Sequence, residues 1–344
     1  MTGSAIVVRD LGTDTSAWDE FVHQSPSATF FHLSGWKTVI EQVFGHQCHY
    51  IYAERDGVVE GVLPLAHVNS RLFANALIST PFCVYGGAVA LSDAAAEALY
   101  AEACDRARRL KVDYFESRES APRHDDWPRK DLYFTFRREI ADNDEDNLKS
   151  IPRKQRAVVR KSMKAGLDWR LDDQTDDLYA LYLYNMRSLG TPPVTQRYLN
   201  VLREVFGDKC EILTITHDGT PVASVMSFYF RDEVLPYYSG AGAAARDLKA
   251  NDYLYWALMA HATTQQVKWF DFGRSKRDTG PYHFKRHWGF EPQPLPYEYF
   301  LAGIDEMPDL SPNNPKYAYF IKAWQKLPLP VTRIVGPWLA KDLG

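Results

Sequence analysis

The sequence predicts a mixed α/β chain made of two copies of one unit, and three observations carry that expectation. Asp56-Gly57 and Asp218-Gly219 each interrupt a pair of extended apolar runs, HYIYAERDGVVEGVLPLAHV and CEILTITHDGTPVASVMSFYF. An Asp-Gly pair tolerates the positive φ values of a tight hairpin turn. Each hairpin precedes a strand that carries tyrosine and small residues, ALISTPFCVYGGAVAL in one half and VLPYYSGAGA in the other. A helix follows in each half, closed by VDYFESRES in the first and VKWFDFGRS in the second. A repeated order of this kind is the signature of an internal duplication.

In chain order, Ile6 to Val8 reads as a first strand and Thr15 to Phe21 as a helix capped by Thr15 or Ser16. Phe30, Phe31, Leu33, Trp36, Val39, Ile40 and Val43 recur at helical spacing, and Gly45 is the stop. The first hairpin comes next, then a helix from Asp93, as cap, through Leu110. IPRKQRAVVRKSMKAGLDW follows as a basic helix linking the two copies. Spacings of three and four place Arg153, Arg156 and Arg160 on one face, with Lys164 continuing it. Like charges so arranged repel, which a bound anion would relieve; pairing with the acidic runs at Asp142 to Asp146 and Asp172 to Asp177 is the alternative. Pro192 and Pro193 close one helix and Thr195 caps the next. The second hairpin and a helix over Asp252 to Gln266 complete the repeat.

The chain has 344 residues, 45% of them hydrophobic, so two domains with substantial cores are expected. The boundaries fall at 1–140 and 141–305, the second domain opening with the linking helix 151–165, and 306–344 form a tail. Forty Lys and Arg against 44 Asp and Glu give a formal charge of −4, which excludes a generally basic nucleic-acid binder. Cys48, Cys83, Cys104 and Cys210 are widely spaced and indicate neither a zinc site nor a disulfide framework. His283 and His287 stand four apart without an acidic or cysteine partner, so no metal site is expected. No basic leader or run of about 18 apolar residues is present, and a cytoplasmic location is expected. The tail, LPLPVTRIVGPWLAKDLG, is apolar with scattered cations. It is expected to pack on its own domain; contact with a membrane surface or a partner is the alternative.

The stretch that carries chemistry is WFDFGRSKRDTGPYHFKRHWGF, Trp269 to Phe290. Trp269 to Phe272 read as a buried strand end, Gly273 as a sharp exit, and Pro281 as a first helical residue. Phe284 and Trp288 then share a helix face beside Lys285 and Arg286. A lysine held against such an aromatic stripe can stabilise a developing oxyanion or polarise an acyl carbonyl. Asp271, at the strand end, either orients an amine or caps a neighbouring backbone group. Arg274 and Tyr282 are candidate substrate contacts in the same turn. Tyr238 ends the central strand of the second copy and is a candidate acyl-pocket contact, or else a core tyrosine.

The duplicated order, the RKQRAVVRKSMKAG helix and the pairing of FDFGRS with YHFKRHWGF resemble the FemAB family over nearly the whole chain. Within that family the chain is similar to the FemAB-related proteins of the exosortase (XrtA) and PEP-CTERM systems of exopolysaccharide-producing bacteria. The resemblance implies α/β domains with mixed sheets, two tandem GNAT-like acyltransferase domains. It implies transfer of an aminoacyl or acyl group to an amine-bearing small molecule or envelope precursor at the inner face of the membrane. By the same resemblance Phe284 and Lys285 match a Phe-Lys pair placed at the acyl carbonyl, Lys285 being catalytic, and Arg153, Arg156 and Arg160 match a helix that meets substrate or donor phosphates. The long helical arm by which some members hold tRNA has no counterpart here, and Gly240-Ala241-Gly242 is only a fragment of the loop that binds coenzyme A in ordinary GNAT enzymes. Aminoacyl-tRNA and an acyl-carrier thioester both remain open as donor, acting as co-substrate rather than bound cofactor. A non-catalytic scaffold or ligand-binding member of the export pathway is the competing reading. Because tandem copies already supply the pairing that single GNAT domains find by dimerising, a monomer is expected.

Overall fold

The computed structural model describes residues 5–70, 75–307 and 315–342. The chain divides into two compact units, one of 1–132, 294–309 and 341–344, the other of 133–293 and 310–340. This division departs from the boundaries read along the sequence. Strand Gln293–Leu301 pairs antiparallel with Tyr114–Arg118, so 294–309 belong with the first unit. Strand Arg137–Glu139 pairs antiparallel with Trp269–Asp271 and belongs with the second. Each unit thus takes in a strand that chain order assigns to the other.

In the first unit the Asp56-Gly57 turn closes the hairpin Ile51–Arg55 and Val58–Leu63, and both turn residues have positive φ, 52° and 80°. Strands Val7–Asp10 and Val89–Ala90 flank that hairpin in an antiparallel sheet. Within a further sheet the strands Gln293–Leu301, Tyr114–Arg118, Asn75–Ser79, Leu65–Asn69 and Gln47–Cys48 are neighbours in that order, with a parallel pair between Asn75–Ser79 and Tyr114–Arg118. Helix Asp93–Leu110 lays Ala95, Leu99 and Ala103 against Ile51, Leu63 and Phe115. Its cap is Ser92, whose hydroxyl accepts from the Ala95 amide at 3.2 Å, and not Asp93, which supplies first-turn negative charge instead. The helix expected from Phe30 begins only at Gly35; Phe30–His32 form a 3₁₀ turn capped by Thr29, and Gly45 ends the helix at φ 72° as expected.

The main sheet of the second unit runs in the order Arg137–Glu139, Trp269–Asp271, Glu233–Ala241, Thr220–Phe230, Cys210–His217 and Leu167–Leu171. The Asp218-Gly219 turn repeats the left-handed pair, φ 49° and 75°. Helix Ala250–Thr264 packs Leu254, Ala257 and Leu258 into a core with Leu213, Val225 and Phe270. Helix Asp176–Leu189 crosses the central strand so closely that a Cβ on Gly240 would stand 2.1 Å from the Tyr182 amide nitrogen. Thr195 caps Gln196–Phe206 through the Tyr198 amide at 3.1 Å. The tail forms helices Pro315–Trp324 and Leu329–Ala340, and Thr332, Gly336 and Ala340 of the latter are buried.

Cys48, Cys83 and Cys210 are buried free thiols, and burial raises the Cys210 and Cys104 pKa values to about 12. No cluster of metal-ligating side chains occurs among the described residues. No helix among them is long and apolar enough to cross a membrane.

Candidate active site

The site is built where two parallel strands part. Strand Glu233–Ala241 pairs with Trp269–Asp271 only at Glu233 with Trp269 and Val234 with Phe270. Beyond Val234 the first strand turns away, helped by a bulge that leaves Tyr237 unmatched between Pro236, opposite Ser227, and Tyr238, opposite Met226.

Asp271 ends the shorter strand with no exposure at all. Its Oδ1 accepts from the Gly273 amide at 2.7 Å and the Thr135 hydroxyl at 3.0 Å. Glycine is required next because Gly273 takes φ 65°. The resulting turn points two backbone carbonyls at one place, and Lys285 fills it. Its Nζ donates to the Gly273 oxygen at 2.8 Å and the Arg274 oxygen at 3.2 Å, and lies 5.4 Å from the centre of the Phe136 ring.

Lys285 arrives on helix Gly280–His287, which has Pro281 in its first turn. The side chain is 8% exposed. Burial, which penalises the ammonium, pushes its pKa from 10.5 down to about 7; Asp271 pulls it back up and Arg274 pushes it further down. Near neutrality the amine is therefore divided between two forms with different chemistry. An ammonium keeps a third N–H beyond the two given to the carbonyls. A neutral amine keeps a lone pair, available to a proton.

The other sequence-derived candidates fall into place unevenly. Phe284 packs on Tyr255, Phe272 and Trp288 at ring distances of 5.5, 6.4 and 6.1 Å. Tyr282 is buried, its ring edge-on to Phe134 and Phe136 at 5.6 and 5.2 Å. Arg274 lies over Tyr133 at 4.6 Å. Tyr238 is half-buried, its hydroxyl 2.7 Å from that of Tyr198, and Tyr182, Tyr198 and Tyr237 surround it with aromatic edges. Asp271 spends its Oδ1 on the Gly273 amide and Thr135, the backbone-capping alternative; it positions the turn that holds Lys285.

On helix Arg153–Ser162 the arginines separate. Arg153 and Arg160 are exposed, whereas Arg156 donates to the Lys149 oxygen at 2.7 Å and the Ile151 oxygen at 2.9 Å, closing the helix before it. All three border an open concavity of about 570 Å³ with Lys161 and Lys164. The helix is tied to the site from behind. Gln155 donates to Asp252 Oδ1, which also accepts from Trp288 Nε1 at 3.3 Å.

Two acidic groups escaped the sequence reading. Glu233 pairs with Arg137 at the fork of the parted strands, and burial together with the Asp271 charge pushes its pKa up. Only the pairing of Glu233 with Trp269 and of Arg137 with Asp271 brings these residues together, and no local pattern announces it. In the first unit, Glu119 is buried with Oε1 accepting from the Tyr100 and Ser117 hydroxyls, and burial raises its pKa. It lines a cleft of about 350 Å³ with His32, Gly86, Gly87 and Arg123. His32 Nδ1 accepts from the Thr29 amide at 3.0 Å, so a neutral ring carries its proton on Nε2 and donates to the Gly87 oxygen at 2.9 Å. The duplication offered a pointer, since VDYFESRES stands where VKWFDFGRS stands in the second copy.

Residues 149–286, which span the basic helix, the parted strands and Lys285, match the acetyltransferase (GNAT) domain family. No protein of curated function matches the sequence. Among solved structures, that of FemX is 14% identical, covering 86% of this chain and 98% of its own, with a TM-score of 0.66. A tandem GNAT protein from the clavulanic acid biosynthesis pathway is 13% identical over 88% and 100%, at 0.54. The C-terminal domain of a protein described as a lysylphosphatidylglycerol synthetase from Agrobacterium fabrum is 11% identical over 82% and 89%, at 0.55. At such identities the likeness shows the fold, which is two GNAT-like domains in tandem.

Proposed function

We propose that the chain is an N-acyltransferase of the FemAB type, moving an acyl or aminoacyl group from a carrier to an amine. The observation that carries this reading is Lys285, a nearly buried amine held by two carbonyls at the parting of two strands, in a segment that matches a GNAT domain. In the proposed step the acceptor nitrogen attacks the carbonyl carbon of an ester or thioester. A C–N bond forms, the C–O or C–S bond breaks, and the proton lost from nitrogen leaves with the carrier hydroxyl or thiol. The Lys285 ammonium donates its third N–H to the oxyanion of the tetrahedral intermediate. Asp271 sets the turn that aims it. Phe284, Tyr282, Tyr238 and Arg274 form the surroundings in which the acyl group is held, and Arg153 and Arg160 meet donor phosphates.

The donor is an aminoacyl-tRNA or an acyl-carrier thioester. Within the Gly240–Gly242 fragment the Gly242 amide is already given to the Val222 oxygen at 2.9 Å, which favours a donor that does not depend on a pyrophosphate loop. The acceptor belongs to cell-envelope or exopolysaccharide synthesis, in an exosortase and PEP-CTERM setting at the inner face of the membrane. That part rests on the family resemblance of the quoted motifs.

The test offers labelled aminoacyl-tRNA and labelled acyl-carrier thioesters in parallel to a panel of amines, with Lys285→Ala as control. Transfer from either donor that the variant loses supports the reading and identifies the carrier. Absence of transfer from both moves the case to the non-catalytic scaffold.

A further inference from the structure

Helix Leu329–Ala340 is packed with its small residues inward and its large apolar residues outward. Thr332, Gly336 and Ala340, four apart, form the buried stripe, and a Cβ on Gly336 would stand 2.3 Å from Pro193 Cδ. Val331, Ile334, Val335 and Trp338 form the opposite stripe at spacings of three and four, and they are 38%, 77%, 40% and 58% exposed. That spacing ordinarily marks the face a helix buries. Here it is turned outward, while the close approach at Gly336 and Pro193 occupies the inner face.

Along the sequence, the charge of the tail between Asp309 and Asp342 is one-sided. From Leu310 to Lys341 the sequence carries Lys316, Lys322, Lys326, Arg333 and Lys341 and no Asp or Glu, in a chain whose formal charge is −4. Lys322 and Lys326 are exposed, whereas the Arg333 guanidinium lies 5.9 Å from the centre of the Tyr179 ring. A helix of 12 residues is about 18 Å long, too short to span a bilayer. An outward apolar stripe, a tryptophan with an apolar body and an N–H, and cations without intervening acids are the features of a helix that lies in a membrane surface.

We propose that helix Leu329–Ala340 docks the protein on an anionic lipid surface, with Ile334 and Trp338 entering the acyl boundary and Lys322 and Lys326 meeting headgroup phosphates. A protein partner for this face would have to be acidic and apolar at once; a bilayer of anionic lipid supplies both together. The proposal stands apart from the transfer reaction and survives or fails independently of it.

The test is co-sedimentation of the full chain with vesicles of phosphatidylglycerol and phosphatidylcholine in equal parts, and with vesicles of phosphatidylcholine alone, at low salt and at about 0.5 M salt. The expected result is pelleting with the anionic vesicles, weakened by salt, and roughly tenfold or more weaker partition for Ile334→Asp/Trp338→Asp and for Lys322→Glu/Lys326→Glu. These side chains are exposed, and an unchanged melting temperature shows that the variants fold. Failure to pellet with anionic vesicles overturns the proposal, as does equal pelleting of the variants. So does a concentration-dependent dimer that Ile334→Asp abolishes in the absence of lipid binding, which assigns the face to a second copy.

Discussion

Replacing Lys285 by methionine should make the protein more stable and less active, and the size of the first effect follows from the site. Burial lowers the lysine pKa from 10.5 to about 7. Each unit corresponds to about 1.4 kcal/mol, so the folded state disfavours the ammonium by on the order of 5 kcal/mol. The sign follows from proton binding. Between pH 7 and 10.5 the unfolded chain binds a proton at this lysine that the folded chain does not, so stability rises with pH through that window. Below pH 7 both states are protonated and the full penalty is present. Methionine has nearly the same length and no charge to desolvate. Chemical denaturation of wild type and Lys285→Met at pH 6, 7.5 and 9 is the assay. The variant should be more stable by a few kcal/mol at pH 6, the gap should shrink as pH rises, and the wild-type increase between 7.5 and 9 should be smaller in the variant. A variant no more stable than wild type at pH 6 refutes the argument that the fold holds this ammonium at a cost.

Asp271→Asn removes the carboxylate that raises the Lys285 pKa while leaving an oxygen for the Gly273 amide, so the pH at which activity is half lost should move downward; a fixed midpoint would mean that Asp271 does not act through Lys285. Arg156→Ala and Arg160→Ala should part company: the first, losing bonds to two carbonyls, should lower stability by about 1–3 kcal/mol, and the second should leave the melting temperature alone and weaken donor binding in a salt-dependent way. Gly240→Ala forces a methyl against the backbone of helix Asp176–Leu189 and should cost about 1–3 kcal/mol or more, read by denaturant midpoint.

Much of this architecture is legible in local sequence because it is local. The two Asp-Gly turns impose positive φ within two residues, and Gly273 and Pro281 punctuate the strand, turn and helix that carry Lys285. What is not legible depends on pairing between distant segments. Nothing near Gln293–Leu301 says that its partner is Tyr114–Arg118, so chain order assigns it to the second domain. Glu233 and Asp271 become neighbours through only two strand pairs, and the bulge at Tyr237 shows as no break in an apolar run. Ser92 and Asp93 are both good caps by residue type, and only the backbone at Ser92, extended at φ −143°, decides between them. The tail packs on its own unit, but which face of its helix is buried is not legible locally: the apolar spacing is that of a buried face, and close packing at Gly336 selects the opposite one.

The most direct test of the account is the rate of transfer as a function of pH for wild type, Lys285→Arg and Lys285→Ala, with the donor that the parallel assay identifies. The ratio of wild-type to Lys285→Arg kcat/KM, in which the titration of the acceptor amine cancels, should fall as pH rises through about 7, and alanine should cost about 10²–10³-fold. Alanine at the wild-type rate, or a wild-type to arginine ratio that climbs through pH 7 as lysine deprotonates, would contradict an ammonium acting on the oxyanion.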